Sequence, residues 1–336
     1  MTKSCFIITI IIFILSFTPV VNGEVNEAKL GENISKEVEK EFPLVKDPVK
    51  LSRVELVGQT LARYSTRKDI EYKFKLISKE DINAFSIPGG YIYVFAGMLD
   101  FVRTDSELAA VLAHEIAHIE GKHALKQMAA AQRMMVYSIA IALATRTAAG
   151  VLLPDLLRIA ILNKYSREYE EEADMRSIDL MIKAGYNPVA ALTLIERLYA
   201  TSLRKPPREH GIMMSHPELR ERASYILKCL KDKGIEIERR KAANYLPVKV
   251  GQDGLSVYIE DALIFKASSK EKAKEFASNL DKHLKVDVEP FQIRVEGGGL
   301  YINGSLILTG REEELKTVKE KIVKVILDFR IRYMPF

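Results

Sequence analysis

The sequence predicts an α+β protein, with a mainly helical first domain that contains a small sheet and a smaller α+β domain at the carboxyl end. Hydrophobic residues recur at helical spacing through most of residues 104–232. Short apolar or alternating runs typical of strands lie before this region and again after about residue 247. The length of 336 residues exceeds the roughly 100–200 residues of an average domain. We therefore expect two domains.

The first predicted elements are helical and then extended. Residues 24–70 carry Leu and Val at helical spacing, and residues 72–76 alternate between apolar and polar as a half-buried strand does. A Pro-Gly-Gly turn leads into a second strand at 91–95. The helical region follows this strand.

The remaining chain divides into a linker and a small domain. Charged residues predict the linker at 236–246, and short strands with two helices predict an α+β domain of unknown role at 247–336. We find no internal repeat in the sequence. The predicted first domain is then 24–235, preceded by the segment 1–23.

The composition is that of a globular protein. With 48% hydrophobic and 28% charged residues, it excludes disordered and collagen-like classes. The net charge is +5, but basic and acidic residues are interspersed, so binding of nucleic acid is not expected. Two cysteines, Cys5 and Cys229, are too few for a disulfide framework or a Cys-rich metal site.

Residues 1–23 predict a secretory signal peptide. Lys3 precedes an apolar run from Phe6 to Phe17, and small residues follow up to Gly23. The run is shorter than the ~20 residues that a membrane-spanning helix needs. We therefore expect a secreted or periplasmic protein with a cleaved signal. An uncleaved N-terminal membrane anchor that leaves the chain facing the periplasm is the alternative.

His114, Glu115 and His118 form a His-Glu-x-x-His motif on a predicted helix. That helix begins near Thr104, which together with Glu107 has the pattern of a capping box. The i, i+4 spacing puts both imidazoles on one helix face, where they can bind one tetrahedral Zn²⁺. The carboxylate between them suits a general base that accepts a proton from a zinc-acidified water. Two surface histidines on an amphipathic helix are the alternative explanation.

Zinc held by two histidines needs a third protein ligand and an open fourth position. Glu170 and Asp174 again have i, i+4 spacing, on a second predicted helix. One can bind the metal while the other accepts a hydrogen bond from the free ring nitrogen of a ligating histidine. For three neighbouring acidic residues a solvated helix face is the simpler interpretation: Glu168, Glu171 and Glu172.

Three segments taken together resemble a known family. They are His114-Glu115-Ile116-Ala117-His118, the run Ser166-Arg167-x-x-Glu170-x-x-Ala173-Asp174, and the segment from Asn83 to Val94. This combination resembles the zinc endopeptidases of metallopeptidase family forty-eight, which include prenyl-protein (CAAX), HtpX-type and BepA-type proteases. The resemblance covers roughly residues 45–230.

The resemblance implies a gluzincin-type catalytic domain with one zinc ion per chain. In such a site His114, His118 and Glu170 are zinc ligands, Glu115 is the general base, and Asp174 holds a ligand, expected to be His114. The resemblance also implies that the second strand is the sheet edge along which an extended substrate lies. The residues of this expected substrate strand are Gly90, Tyr91, Ile92, Tyr93 and Val94. Pairing at a sheet edge is sequence-tolerant, because main-chain hydrogen bonds supply the affinity.

His216 and Arg222 match a His-Pro-x-x-x-x-Arg segment of the same family. The resemblance implies that His216 faces the metal, where it either binds substrate or fills the fourth zinc position. Arg222 is expected either to stabilise the oxyanion of the reaction or to hold an acidic neighbour. The remaining histidines match nothing and are expected at the surface: His123, His210 and His283.

The chain departs from some members of the family. It lacks the long membrane spans of HtpX-type and prenyl-protein proteases, since Arg146 interrupts the apolar stretch 134–149. We expect residues 134–163 to form a helical hairpin, either buried between the two motif helices or lying over the cleft. The carboxyl-terminal domain differs from the helical repeats of BepA-type proteases, so their partners are not carried over.

The sequence therefore predicts a zinc endopeptidase that cleaves unfolded or misassembled envelope proteins. Membrane-assembly machinery is a further candidate partner. The alternative is a zinc-containing chaperone or assembly factor that holds client chains and rarely cleaves, which a fourth ligand at His216 would favour.

Overall fold

The computed structural model describes residues 26–130, 165–204, 216 and 218–333. The helices are α1 (Glu27–Glu41), α2 (Pro48–Ala62), α3 (Ala96–Phe101), α4 (Asp105–Glu120), α5 (Arg167–Lys183), α6 (Val189–Ser202), α7 (Leu219–Asp232), α8 (Arg239–Ala243), α9 (Lys270–His283) and α10 (Glu312–Tyr333). The strands are β1 (Lys73–Ile77), β2 (Ala84–Ile87), β3 (Tyr91–Phe95), β4 (Val248–Val250), β5 (Ser256–Ile259), β6 (Ala262–Lys266), β7 (Ile293–Glu296), β8 (Gly299–Ile302) and β9 (Ser305–Thr309). This combination confirms the predicted α+β class.

Two predicted segments lie outside the described residues: the signal peptide at 1–23 and the helical hairpin at 134–163. Residues 123–130, just before the second of these segments, are helical. Among the residues that the structure describes, every helix is too short or too polar to cross a membrane.

The first sheet has the strand order β1-β3-β2, with β1 parallel and β2 antiparallel to β3. Strand β3 is therefore central, and all of its residues are buried. The prediction that Tyr91, Ile92, Tyr93 and Val94 form the sheet edge is wrong. β3 forms main-chain hydrogen bonds with β1 on one side and with β2 on the other, so β1 and β2 are the edge strands of this sheet. Gly90 precedes β3 at a φ of +89°, which suits the predicted turn.

Helices cover both faces of this sheet. Alternate residues of β3 point to opposite sides. Tyr91, Tyr93 and Phe95 pack in one cluster with α1, whereas Ile92 and Val94 pack in the main core with α2 and α4. The sheet therefore positions α4, the helix with the His-Glu-x-x-His motif, against its second face.

A buried carboxylate fixes the start of α4. Thr104 caps the helix as predicted, since its hydroxyl accepts a hydrogen bond from Glu107 N. The Glu107 carboxylate accepts a hydrogen bond from Arg103 N at 2.8 Å, and further ones from Thr193 and Arg197 of α6. Burial raises the pKa of Glu107, while the guanidinium of Arg197 acts against that rise. The carboxylate thus ties α4 to α6.

Beyond α8 the chain forms a second unit with its own hydrophobic core. This unit contains two three-stranded antiparallel sheets, in the orders β4-β5-β6 and β7-β8-β9. Ala242 at the end of α8 packs in the first core and Ala243 packs in the second. We retain the domain division at 236–246 as a proposal, with α8 between the two cores.

The second unit consists of two βββα repeats, so the prediction that the chain has no internal repeat is wrong. Tyr258 of β5 is paired with Leu263 of β6, as Tyr301 of β8 is with Leu306 of β9. Each hairpin has its irregularity just before that tyrosine, and the burial patterns of the two hairpins are the same. Helix α9 also contacts β9 of the second repeat, and α10 contacts β6 of the first. The repeats therefore share one core.

Arg103 connects the two units. Its guanidinium donates hydrogen bonds to the carbonyl oxygens of Ala243 and Asn244, each at 3.0 Å. It also forms an ion pair with Glu260, at the turn between β5 and β6, at 2.8 Å. Both side chains of this pair are partly buried, so solvent screens it less than an exposed pair.

Arg103→Ala is expected to lower the free energy of unfolding by about 1–3 kcal/mol, because it removes hydrogen bonds from a charged donor at the contact between the units. Lys249→Ala is the control, since it breaks an ion pair with the exposed Asp261 and should change this energy by less than about 0.5 kcal/mol. Urea unfolding of both variants measures the difference. Equal changes in the two variants would contradict this role of Arg103.

Candidate metal centre

His114 and His118 lie side by side on the face of α4 that packs against α5. Their Nε2 atoms are 3.0 Å apart, and both side chains are buried. The four-residue spacing brings the two rings to the same face, one turn apart. The structure therefore places this pair as the motif predicts.

Glu170 reaches the histidine pair from α5. Its carboxylate oxygens lie 3.5 Å from Nε2 of His114 and 3.5 Å from Nε2 of His118. Helix α5 begins after Ser166, whose hydroxyl accepts a hydrogen bond from Tyr169 N. This cap fixes the first turn of α5, so that Glu170 points inward to α4 and is buried.

His216 completes a group of four possible ligands. Its Nδ1 lies 2.8 Å from Oε1 of Glu170 and 3.3 Å from Nε2 of His114. With His118 included, one ligand atom from each of the four residues lies within 4.8 Å of the others. The adjoining Ser215 and Pro217 lie outside the described residues.

The four side chains fit Zn²⁺, which prefers imidazole nitrogen and carboxylate oxygen in a tetrahedral arrangement. Oε2 of Glu170 is buried and accepts no hydrogen bond, and the charge that faces it is the guanidinium of Arg222, with Nη1 at 2.9 Å. Burial acts to raise the pKa of Glu170, but His216 and Arg222 outweigh it and hold this pKa well below its usual range. Burial and the charge of His114 hold the pKa of His118 well below its usual range. The ionised carboxylate and the neutral imidazole are the forms that bind a metal.

Asp174, one turn after Glu170, holds the other ring nitrogen of His114. Its Oδ1 lies 2.9 Å from Nδ1 of His114, and such a contact fixes the tautomer that leaves Nε2 free for a metal. Burial acts to lower the pKa of His114, but the carboxylate of Asp174 outweighs it and raises this pKa to about 9. The contact supports our proposal that Asp174 orients His114.

Arg222, on α7, is buried against the carboxylates. Its Nε and Nη2 each lie 2.8 Å from an oxygen of Asp174, a bidentate arrangement. Its Nη1 lies 2.9 Å from Oε2 of Glu170. Of the two roles expected for Arg222, this geometry favours the one that holds acidic neighbours over stabilisation of an oxyanion.

Glu115 lies beside the four-residue cluster. The hydroxyl of Ser86, on β2, donates a hydrogen bond to its Oε2 at 2.8 Å. Its Oε1 lies 3.6 Å from Nε2 of His216. A carboxylate held at one oxygen with the other directed to the cluster has the position that a general base requires.

Three residues of the site were missed from the sequence. Ser86 holds Glu115, and Tyr225 donates its hydroxyl to Oδ2 of Asp174 at 2.7 Å. Tyr225 follows Arg222 by three residues and so shares its helix face, which is a signal that could have found it. The third missed residue is His123, which lies beneath His118.

The expectation of a surface position is wrong for His123, which is 0% exposed, with its Nδ1 2.8 Å from Nδ1 of His118. Glu172, expected on a solvated face, is half-buried and its Oε2 lies 3.4 Å from Nε2 of His123. His283 is half-buried with its Nδ1 2.8 Å from the carbonyl of Asn279, and His210 lies outside the described residues.

Comparison with known proteins finds a match to the model of peptidase family M48 over residues 48–229. The chain is 27% identical over 201 residues to a beta-barrel assembly-enhancing protease of Escherichia coli (strain K12), covering 57% of this chain and 41% of the relative. It is 30% identical over 215 residues to the mitochondrial metalloendopeptidase OMA1 of Schizosaccharomyces pombe, covering 63% of each. It is 30% identical over 177 residues to the metalloprotease YcaL of Escherichia coli (strain K12), covering 52% of this chain and 67% of the relative.

The chain belongs to peptidase family M48. This confirms the predicted family, the enzyme class of zinc metallopeptidase and zinc as the cofactor. The matched region includes α4, α5 and most of α7, and every residue of the candidate site described above. The chain spans about two fifths of the beta-barrel assembly-enhancing protease that it matches.

The purified protein is expected to contain about one zinc ion per chain, and His114→Ala, His118→Ala and Glu170→Ala should each lose it, because three protein ligands are needed. His283→Ala is the control and should keep its zinc. Elemental analysis after gel filtration measures the content. Stoichiometric zinc in the His118→Ala protein would contradict the ligand assignment.

Zinc binding is expected to release about one proton per ion near pH 7, because His114 must lose its proton to bind and its pKa is raised to about 9. The affinity should therefore rise with pH up to about 9 and fall as pH decreases below it. Calorimetric titration in buffers of different ionisation enthalpy counts the protons. Asp174→Asn should lower the count at pH 7, since it removes the charge that raises this pKa. An unchanged count would contradict the assignment.

Proposed function

We propose that this member of peptidase family M48 is an endopeptidase that cleaves unfolded or misassembled envelope proteins. The observation that carries the proposal is the buried cluster of His114, His118 and Glu170, with the carboxylate of Glu115 directed to it. This set supplies three metal ligands and one base. Metal-assisted hydrolysis needs such a set of ligands with a base beside them.

The proposed roles follow from the contacts. Zinc in this site supplies a Lewis acid that polarises a peptide carbonyl and acidifies a water molecule. Glu115 accepts the proton of the attacking water and passes it to the departing amine. Ser86 holds one oxygen of Glu115, so that the other stays directed to the cluster. Asp174 holds His114 in the tautomer that binds metal.

Strand β2 is the proposed position for substrate. Within the described residues, no strand pairs with its outer side. Phe95 N donates to the carbonyl of Asn83, so by the antiparallel alternation the backbone groups of Ala84 and Ser86 point outward. Ser86 also contacts Glu115, so a chain paired with β2 passes the base. Main-chain pairing demands no particular side chain, which suits unfolded clients.

The location and the partners are also proposals. A secreted or periplasmic location rests on the signal-like residues 1–23, with an N-terminal anchor as the alternative. Envelope clients and assembly machinery are supported by the name of one relative, a beta-barrel assembly-enhancing protease. That relative matches this chain over only part of its length.

A second candidate function is that of a zinc-containing assembly factor that holds clients and rarely cleaves. The contact that favours it is the one between Nδ1 of His216 and Oε1 of Glu170, at 2.8 Å. An imidazole in this position can take the fourth place at zinc, which the attacking water requires. Measured cleavage rates distinguish the two functions.

Glu115→Gln is expected to keep its zinc and to lower cleavage of casein by at least about 100-fold, because it removes a general base and no metal ligand. Glu168→Gln, on the exposed side of α5, is the control and should cleave normally. Initial rates with and without chelator, together with zinc content, give the result. Normal cleavage by the Glu115→Gln protein would place the base elsewhere.

His216→Ala is expected to raise the initial rate of casein cleavage while zinc stays bound, because it opens the fourth zinc position. The alternative is that His216 steadies the tetrahedral intermediate, in which case the rate falls. Rates are compared at equal zinc occupancy, with His283→Ala as the control. We call the blocking of the fourth zinc position by His216 the latch. A fall in rate without loss of zinc would refute the latch and make His216 catalytic.

A further inference from the structure

His123 is a buried side chain next to the metal centre that the proposed mechanism does not use. Its Nδ1 lies 2.8 Å from Nδ1 of His118. His118 points its other nitrogen, Nε2, to His114 and Glu170. The two rings stand almost perpendicular, with an interplanar angle of 79°. His123 therefore contacts a candidate ligand on the side away from the metal.

The backbone is built to bring His123 to this place. Helix α4 ends at Glu120, and the next turn contains Lys122 at a φ of +52°, a conformation that most side chains avoid. This turn directs residue 123 back beneath the last turn of α4. At Gly121 an added Cβ would lie 2.2 Å from Nε2 of His123. Only glycine leaves room for the ring there.

The surroundings also restrict the ring. His123 stacks on Tyr169 of α5, with ring centroids 4.4 Å apart and an angle of 10°. Its Nε2 lies 3.4 Å from Oε2 of Glu172, which in turn pairs with Arg176 at 2.8 Å. The ring of His118 stacks on Tyr165, with ring centroids 4.0 Å apart. Neither histidine ring can rotate without losing these contacts.

We propose that His123 is a positioning residue for His118, an inference that rests on the proposed zinc site. For Nε2 of His118 to bind the metal, its Nδ1 must carry the proton and donate it. Among the described residues, the ring nitrogen within reach of that proton is Nδ1 of His123, which therefore accepts it and carries its own proton on Nε2, 3.4 Å from Oε2 of Glu172. His123 thus orients one candidate ligand, His118, as Asp174 orients the other, His114.

This role differs from that of a metal ligand. Nδ1 of His123 is occupied by His118, and Nε2 points toward Gly121 and Glu172 rather than toward the cluster. The four residues that can share one ion do not include His123. Its removal should therefore weaken zinc binding without abolishing it, by the roughly 10–100-fold that loss of such a partner costs.

The test compares three substitutions of His123 in the full chain. His123→Asn keeps an acceptor oxygen near the place of Nδ1, whereas His123→Gln carries it further out and His123→Phe has none. Zinc affinity is measured by competition with a chelator, and the ligand geometry by the visible absorption of the cobalt-loaded protein. His283→Phe is the matched control. Thermal unfolding of the metal-free proteins shows whether each variant folds.

We expect His123→Phe and His123→Gln to lose about 10–100-fold in zinc affinity, with an altered cobalt spectrum, and His123→Asn to stay within a few-fold of the wild type. Should the Phe variant not fold, the Asn and Gln pair gives the same comparison. Equal affinity in all folded variants, or an Asn variant as weak as the Gln variant, overturns the proposal. A wild type that binds no zinc instead refutes the proposed function itself.

Discussion

The ion pair between Asp174 and Arg222 is the interaction on which the metal centre depends. Three carboxylates, those of Glu115, Glu170 and Asp174, are buried within one small volume, and burial of such charges without partners is strongly unfavourable. Arg222 forms a bidentate pair with Asp174 and approaches Glu170 with its remaining nitrogen. The loss of one member of a buried pair typically costs about 3–5 kcal/mol. The arrangement compensates Asp174 with hydrogen bonds, whereas Oε2 of Glu170 faces the charge of Arg222 at 2.9 Å without a hydrogen bond.

The parts of the site that the sequence predicted are those that follow from spacing along one helix. His114 and His118 share a face of α4, and Glu170 and Asp174 share a face of α5, because four residues make about one turn. The direction of Arg222 could not be predicted, since it depends on how α7 packs against α5. The prediction of a surface position for His123 was wrong because the chain turns after α4 at Lys122, a residue with a positive φ. The sequence contains no signal for this conformation. The prediction that β3 is the edge strand was wrong because strand order depends on pairing between distant segments. β3 pairs on both of its sides, which leaves β2 at the edge.

The repeat in the second unit left a short signal in the sequence that the structure makes evident. The two hairpins agree in register and burial and share the pattern Tyr-Ile-x-x-x-Leu-Ile at 258–264 and 301–307, although other matching positions differ, such as Val257 and Leu300. Packing requires only that an apolar side chain of suitable volume face the core, so the pattern persists where the letters differ. Each helix contacts a strand of the other repeat, and neither half can bury its apolar face alone. The duplication is therefore a property of one shared core and not of two small domains.

The two oxygens of Glu115 link the proposed substrate edge to the proposed latch. One accepts a hydrogen bond from Ser86 of β2, and the other faces Nε2 of His216. A chain that pairs with β2 thus comes to lie next to the place that His216 occupies. If the substrate binds only when His216 has left the cluster, its binding energy shifts the population to the open state, and each tenfold shift needs about 1.4 kcal/mol. A few main-chain hydrogen bonds at about 1 kcal/mol each supply that amount. Cleavage would then be confined to chains that present an extended segment with unpaired backbone groups, which unfolded chains do along most of their length.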